Sequence, residues 1–239
     1  TLLHQAVRAA VVRQVQALTI RVEAAVLLHM KIVLHILLQT TEVLIAGLPA
    51  FRQAVEDNNP FAAYSLGGQY LRGQGVEQSS TEAYRLYTMA AVRGNAYAQY
   101  QLGRMYQDGI GTEADLEDSK RWYAKAYAGF LAMEATMADD KLCYRLGSMN
   151  MTGTGTEVDL EKSRYYFEKA VELGSVDALY GLGKLYLKPE LSEYDPEKAV
   201  EYLEQAAKDN AFARYQLGKL FCQGKLVQKD IARGLPLLE

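Results

Sequence analysis

Two patterns of apolar positions divide the chain. From Val11 a stripe of Val11, Val15, Leu18, Val22, Ala25, Ile32 and Ile36 advances by fours and threes, with His29 between, as a coiled-coil seam does. Arg13, Arg21, Glu23, Lys31 and Glu42 lie off that seam. No Gly or Pro precedes Gly47, so the spacing predicts helix over most of residues 1–46, as one long helix or as a hairpin. Leu27, Leu28, Val33, Leu34, Leu37 and Leu38 make the later part apolar nearly all round. A helix of that kind is buried, in its own chain or in a partner.

The second pattern is a repeat. Leu-Gly pairs recur at Leu66-Gly67, Leu102-Gly103, Leu146-Gly147, Leu182-Gly183 and Leu217-Gly218, spaced by 36, 44, 36 and 35 residues. Two residues before each Leu stands Tyr64, Tyr100, Tyr144, Tyr180 or Tyr215. Four before it stands Ala62, Ala98, Ala178 or Ala213, with Leu142 in the third copy. Four after it stands Tyr70, Tyr106, Tyr186 or Phe221, with Asn150 in the third copy. Offsets of −4, 0 and +4 share one helical face. Gly in a helix interior costs about 1 kcal/mol relative to Ala, so a recurring Leu-Gly pair implies close helix packing.

Glycine turns follow the first helices at Gly73-Gln74-Gly75, Gly109-Ile110-Gly111 and Gly153-Thr154-Gly155. Such glycines end a helix in the left-handed region. Lys188-Pro189-Glu190 replaces that turn in the fourth copy, and the fifth keeps only Gly224. Second helices then carry a small residue and a bulky pair: Ala83 with Leu86-Tyr87, Ser119 with Trp122-Tyr123, Ser163 with Tyr166-Phe167, Ala199 with Tyr202-Leu203. Their stop signals are Arg93-Gly94-Asn95, Leu173-Gly174-Ser175 and Lys208-Asp209-Asn210. Leu102, Leu146, Leu182, Tyr106, Tyr186 and Trp122 are expected to be buried. The longer third spacing places extra residues between Ala126 and Tyr144, expected as a lengthened second helix and connection.

These residues resemble the Sel-like repeat, a relative of the tetratricopeptide repeat, over residues 60–239. The resemblance implies an all-α fold, a right-handed α/α superhelical solenoid of helix-turn-helix repeats, and a role in assembling protein complexes. It brings no catalytic residues. Residues 60–239 thus read as about five repeats, the last incomplete. Residues 1–59 read as an apolar helical segment with a degenerate capping repeat over 26–59, whose core columns are Val26, Met30 and Leu34. The start at Thr1 rather than Met reads as a fragment, a processed chain or an engineered one, and for the final repeat, cut short at Glu239, the expectation is a parent chain that continues or a residual face met by another chain.

Composition narrows the function. Net charge is −3, which argues against nucleic acid as partner. Cys143 and Cys222 form no disulfide framework and no CxxC pair, and read as small buried hydrophobes; a cytoplasmic setting is favoured. All three histidines lie within the first 35 residues, and His29 and His35, six apart, share no helix face for a metal. No metal, no cofactor and no enzyme activity is expected. Asp139-Asp140 and Glu117-Asp118 read as solvated surface. Gly153-Thr154-Gly155-Thr156 lacks the lysine of a phosphate loop and follows a helix, so it reads as a turn. Lys31, His29 and His35 inside Ala24–Thr41 argue against a membrane span.

The tyrosine column is the candidate binding site: Tyr64, Tyr100, Tyr144, Tyr180 and Tyr215, with Arg104, Lys184 and Lys219, and Gly68 and Ser148, on the same stripe two residues after each Leu. First helices of such solenoids line the concave face, where a protein or peptide would lie, and Tyr suits interfaces. The other reading is that the ladder only packs repeat on repeat. A rival function is a homo-oligomer formed through residues 1–48, with Val11, Val15, Leu18, Val22, Ile32 and Ile36 at its interface; the contrast in composition leaves room for an engineered chain. One flank of that segment would be covered by the first repeat through Phe51, Val55 and Phe61. A third is an accessory domain of a larger protein.

Overall fold

A computed structural model describes residues 48–238 of the chain. The interface positions Val11, Val15, Leu18, Val22, Ile32 and Ile36, and nearly all of the self-assembly segment 1–48, lie outside the described residues. Within them the chain is helical and contains no strand. A helical segment over 48–56 leads into α1 (Pro60–Arg72), α2 (Ser80–Val92), α3 (Ala96–Asp108), α4 (Leu116–Glu134), α5 (Asp140–Thr152), α6 (Leu160–Glu172), α7 (Val176–Tyr186), α8 (Pro196–Ala206), α9 (Ala211–Gln223) and the short α10 (Ile231–Gly234), which runs into a 3-10 turn over Leu235–Leu237. Consecutive helices pack as hairpins, α1 on α2, α3 on α4, α5 on α6, α7 on α8, and each hairpin packs on the next. That is a solenoid.

Local signals set these boundaries. Every helix from α1 to α10 starts on a side chain that accepts a backbone N–H: Asn59, Asn95, Asp139, Ser175 and Asn210 for the first helices, Ser79, Asp115, Asp159, Asp195 and Asp230 for the second. Both sets keep the spacings of the Leu-Gly pairs. First helices α1, α3, α5 and α9 end on left-handed Gly73, Gly109, Gly153 and Gly224. The second turn glycine does more. At Gly155 φ is +73°, and a Cβ there would stand 2.3 Å from the Tyr123 carbonyl oxygen of α4.

The Leu-Gly pair is the junction of each hairpin. Leu66, Leu102, Leu146, Leu182 and Leu217 are buried, while the glycine admits the bulky side chain of the second helix. A Cβ on Gly103, Gly147 or Gly183 would come within 2.7 Å of Tyr123, 2.6 Å of Phe167 or 2.6 Å of Leu203. The small residue of the second helix completes the contact: Ser119 Oγ donates to the Gly103 carbonyl at 2.8 Å, and Ser163 Oγ to the Gly147 carbonyl at 2.9 Å.

Six of the eight extra residues become helix, and two lengthen the connection to α5. α4 has 19 residues where α2 and α6 have 13. Its added turns bury Phe130 completely and pair Glu134 with Lys169 of α6, bracing two repeats.

Three burial expectations are corrected. Tyr106 is half-buried, because its hydroxyl reaches the rim to meet the Tyr84 hydroxyl at 2.7 Å. Trp122 is half-buried, its ring lying between the first-repeat core and the Lys125 ammonium 4.3 Å over its face. Cys222 is half-buried, whereas Cys143 is buried. Val55 and Phe51 pack on the first-repeat core and Phe61 is 70% exposed; the N-terminal flank that the three are expected to cover lies outside the described residues.

Candidate partner-binding face

Positions two before and two after each Leu are four apart, so each first helix presents a tyrosine and, one turn on, a second side chain on one stripe. Tyr64, Tyr100, Tyr144 and Tyr180 are half-buried, and Tyr215 is exposed. Each inner face is held by aromatic neighbours. Tyr64 meets Tyr87 at 5.7 Å and Tyr97 at 5.9 Å; Tyr100 meets Tyr123 at 5.2 Å and Phe130 at 6.2 Å; Tyr144 meets Phe167 at 5.7 Å. Tyr180 meets Phe212 of the following helix at 6.5 Å. The ladder therefore packs repeat on repeat along its inner edge and leaves its outer edge available.

Arg104, Lys184 and Lys219 are exposed beside it. Lys184 Nζ lies 5.4 Å from the Tyr180 ring centroid, a cation–π contact that leaves most of the ammonium in solvent. At Gly68 the same place is filled from one turn away: a Cβ there would stand 3.1 Å from the Arg72 guanidinium. In the third repeat Ser148 occupies the position, and Arg145 supplies the charge from the next face, its guanidinium 4.8 Å over Tyr100 and 5.5 Å over Phe130.

The sequence-predicted residues Tyr100, Arg104 and Ser148 come together in a cavity of about 300 Å3 between α3 and α5, closed beneath by Tyr123 and rimmed by Gln107, Asp108 and Thr152. Tyr123 donates to Gln107 Oε1 at 3.1 Å. Burial pushes the Tyr123 phenol well above its ordinary range, with the Tyr100 phenol adding to the rise and Arg104 opposing it. Burial likewise pushes Tyr87 up to about 12, against Arg72 and Arg104. Both phenols stay neutral hydrogen-bonding groups at neutral pH. Tyr180 with Lys184, and Tyr215 with Lys219, sit farther along and do not enter this cavity. Sequence reasoning missed Arg72, Arg145 and Tyr123. Arg72 was within reach, since it lies four residues after Gly68 on the same stripe.

The groups gathered here are aromatic faces, hydroxyls, an amide and cations. They suit recognition by contact. Among the described residues no group of three His, Cys, Asp or Glu is placed to hold a metal ion, and no helix is long and apolar enough to cross a membrane.

Fold and face define an α/α repeat solenoid with a side-chain ladder along its first helices. The profile of the Sel1 repeat matches residues 60–95, 96–129, 141–175, 176–210 and 211–239. The chain belongs to the Sel1 repeat family, whose members generally act as protein-interaction scaffolds. It is similar to a Sel1 repeat protein from Oxalobacter formigenes, 28% identical with a TM-score of 0.56, covering 82% of this chain and 81% of that one. It is also similar to a protective antigen present in uropathogenic Escherichia coli strains and displaying an SLR fold, 24% identical with a TM-score of 0.42, covering 81% of this chain and 48% of the antigen. No curated protein matches the chain.

Proposed function

We propose that the chain is a non-enzymatic scaffold that holds a segment of another protein along its first-helix face, on the stripe of Tyr64, Tyr100, Tyr144, Tyr180 and Tyr215 with Arg104, Lys184 and Lys219. One observation carries this reading: Tyr100, Arg104 and Ser148, drawn from two repeats, line one open cavity of about 300 Å3. A concavity with aromatic walls and a few polar groups is the usual form of a recognition site. Half-buried tyrosines, held by aromatic neighbours, lose little conformational entropy when a partner covers them.

The test is a photo-reactive residue placed at Ser148, and separately at Lys120 on the exposed side of α4, in the full chain expressed in cells. Covalent capture of a discrete protein from position 148 and none from position 120 supports the reading. Equal capture from both, or capture from 120 alone, sinks it.

A further inference from the structure

The two helical layers treat their charges differently. The first helices α1, α3, α5, α7 and α9 carry seven Lys or Arg against three Asp or Glu. The second helices α2, α4, α6 and α8 carry eight against ten. Ion pairing follows the same division. Among the described residues all eight ion pairs tie side chains of the second helices, or of the turns beside them, to one another. No first-helix cation is in any of them. Among the described residues Arg72 donates only to the Gln74 side chain, and Arg145 lies over aromatic rings with its Nε unpartnered. Two acids adjoin the stripe. Asp177 accepts from Asn210 Nδ2 at 3.0 Å, and Asp108 closes the C-terminal end of α3.

A chain of net charge −3 whose first-helix cations enter no ion pair among the described residues, and outnumber the acids beside them, has a local field opposite to its overall charge. We infer that the first-helix face binds an extended acidic peptide segment of a partner protein, its carboxylates meeting Arg72, Arg104, Arg145, Lys184 and Lys219 while the intervening side chains lie on the tyrosine ladder. This rests on the scaffold reading above and adds the chemistry of the partner.

Geometry gives the partner a period. Packed helices stand about 8–10 Å apart. An extended or polyproline chain advances about 3.1–3.4 Å per residue, so about three residues span α5 to α7, the first helices that pack directly on one another. Across that pair the fitting segment carries acidic residues about three positions apart. Arg72, Arg104, Lys184 and Lys219 are exposed and act mainly through long-range attraction, so binding should weaken steeply with salt.

The experiment uses the full chain and labelled fifteen-residue peptides, read by fluorescence anisotropy: (Glu-Ser-Pro)5, (Gln-Ser-Pro)5, (Lys-Ser-Pro)5, and a peptide of the first composition with its five Glu in one block. The periodic Glu peptide should bind at least about tenfold more tightly than the Gln peptide at low salt, a tenfold change being about 1.4 kcal/mol. It should also bind more tightly than the blocked one, and lose most of that advantage when ionic strength is raised. Arg104→Glu, Lys184→Glu and Lys219→Glu together should abolish the preference. Lys120→Glu with Arg121→Glu, on the second-helix layer, should leave it unchanged. Circular dichroism confirms that both variants are folded.

Equal binding of the Gln and Glu peptides overturns the inference, as does tighter binding of the Lys peptide, or no binding of any peptide. Tighter binding of a fifteen-nucleotide single-stranded DNA also overturns it, by assigning the row to nucleic acid. If acidic preference fails while position 148 still captures a protein, the scaffold reading stands and the partner chemistry is wrong. If capture fails as well, both fall.

Discussion

The third and fourth repeats, spaced by 36 and 35 residues, solve the same packing problem with different parts. In the third, α5 ends on left-handed Gly153, and Gly155 lies against the α4 backbone. In the fourth, α7 stops after 11 residues at a right-handed cap, and the loop Lys188-Pro189-Glu190 replaces the glycines. That loop sends Leu191 into the core, 3% exposed, where the third repeat sends nothing comparable. The second helix differs too: Phe167 in the third, Leu203 in the fourth, both fully buried against a glycine. The solenoid therefore requires the close approach at the Leu-Gly pair. It does not require a particular turn or ring.

Phe167 should separate the two repeats most. It lies where Cβ atoms on Gly147 of α5 and Gly181 of α7 would collide with it, at 2.6 and 2.8 Å, and it meets Tyr144. It thus joins two repeats, while the close glycine contact of Leu203 is to Gly183 of its own repeat. Phe167→Ala should cost about 3–5 kcal/mol, and Leu203→Ala should fall nearer the lower end of its range of about 2–5. Denaturant unfolding of both variants measures this. An equal or greater loss at Leu203 would mean that the double glycine clamp adds nothing.

The turns come next. Gly155→Ala meets both a left-handed backbone and the Tyr123 carbonyl, so a loss of about 1–3 kcal/mol is the minimum expected. Pro189 is exposed, and Pro189→Ala should change stability by about 0.5 kcal/mol or less. Similar losses at the two sites would show that the fourth-repeat loop is as constrained as the glycine turn.

Asn150 is the next contrast. It stands where the fourth repeat has fully buried Tyr186. Its Nδ2 donates to the Leu146 carbonyl at 2.8 Å, and its Oδ1 accepts from the Tyr127 hydroxyl at 3.1 Å. Asn150→Leu would leave the Tyr127 hydroxyl without that acceptor, and should cost about 1–3 kcal/mol despite the added apolar area. An unchanged midpoint of unfolding would show that Tyr127 finds water instead.

Much of this was legible in the chain itself. The Leu-Gly column located every hairpin junction, because close approach leaves glycine no substitute. The same reading took Asn95, Ser175 and Asn210 as ends of second helices. They are the caps that start the following first helices, a confusion that arises where only three or four residues separate one helix from the next. Asp115 and Asp159, at the spacing of Leu102 and Leu146, showed the same period and carried the signal. The tyrosine stripe was visible from i,i+4 spacing, but the contribution of Arg145 was not, since it reaches Tyr100 across the repeat boundary and no local pattern encodes that.

The smallest contrast concerns those caps. Asp159 and Asp195 each accept backbone N–H groups at the start of their helix. Only Asp159 is also paired with the lysine three residues on, Lys162 Nζ at 3.0 Å; the matching Lys198 donates instead to the Tyr186 hydroxyl at 2.8 Å. The Lys162 backbone N–H, and then its ammonium, hold the Asp159 carboxyl below its ordinary range. Replacing either Asp by Ala should cost about 1 kcal/mol of cap at neutral pH. The exposed ion pair adds little, and only at low salt. A carboxyl whose pKa is depressed on folding stabilises the protein above its unfolded value, about 4, and loses that contribution as pH falls through the folded one. The gap in stability between the native chain and Asp159→Ala should therefore be constant from pH 7 to about 5 and close below about 4. Part of it should also vanish at high salt, while the gap for Asp195→Ala should be insensitive to salt. A gap at Asp159 that stays unchanged down to pH 3 would show that the cap works through its neutral hydrogen-bonding form. The charge of Lys162 would then be incidental, and the two repeats would be capped alike.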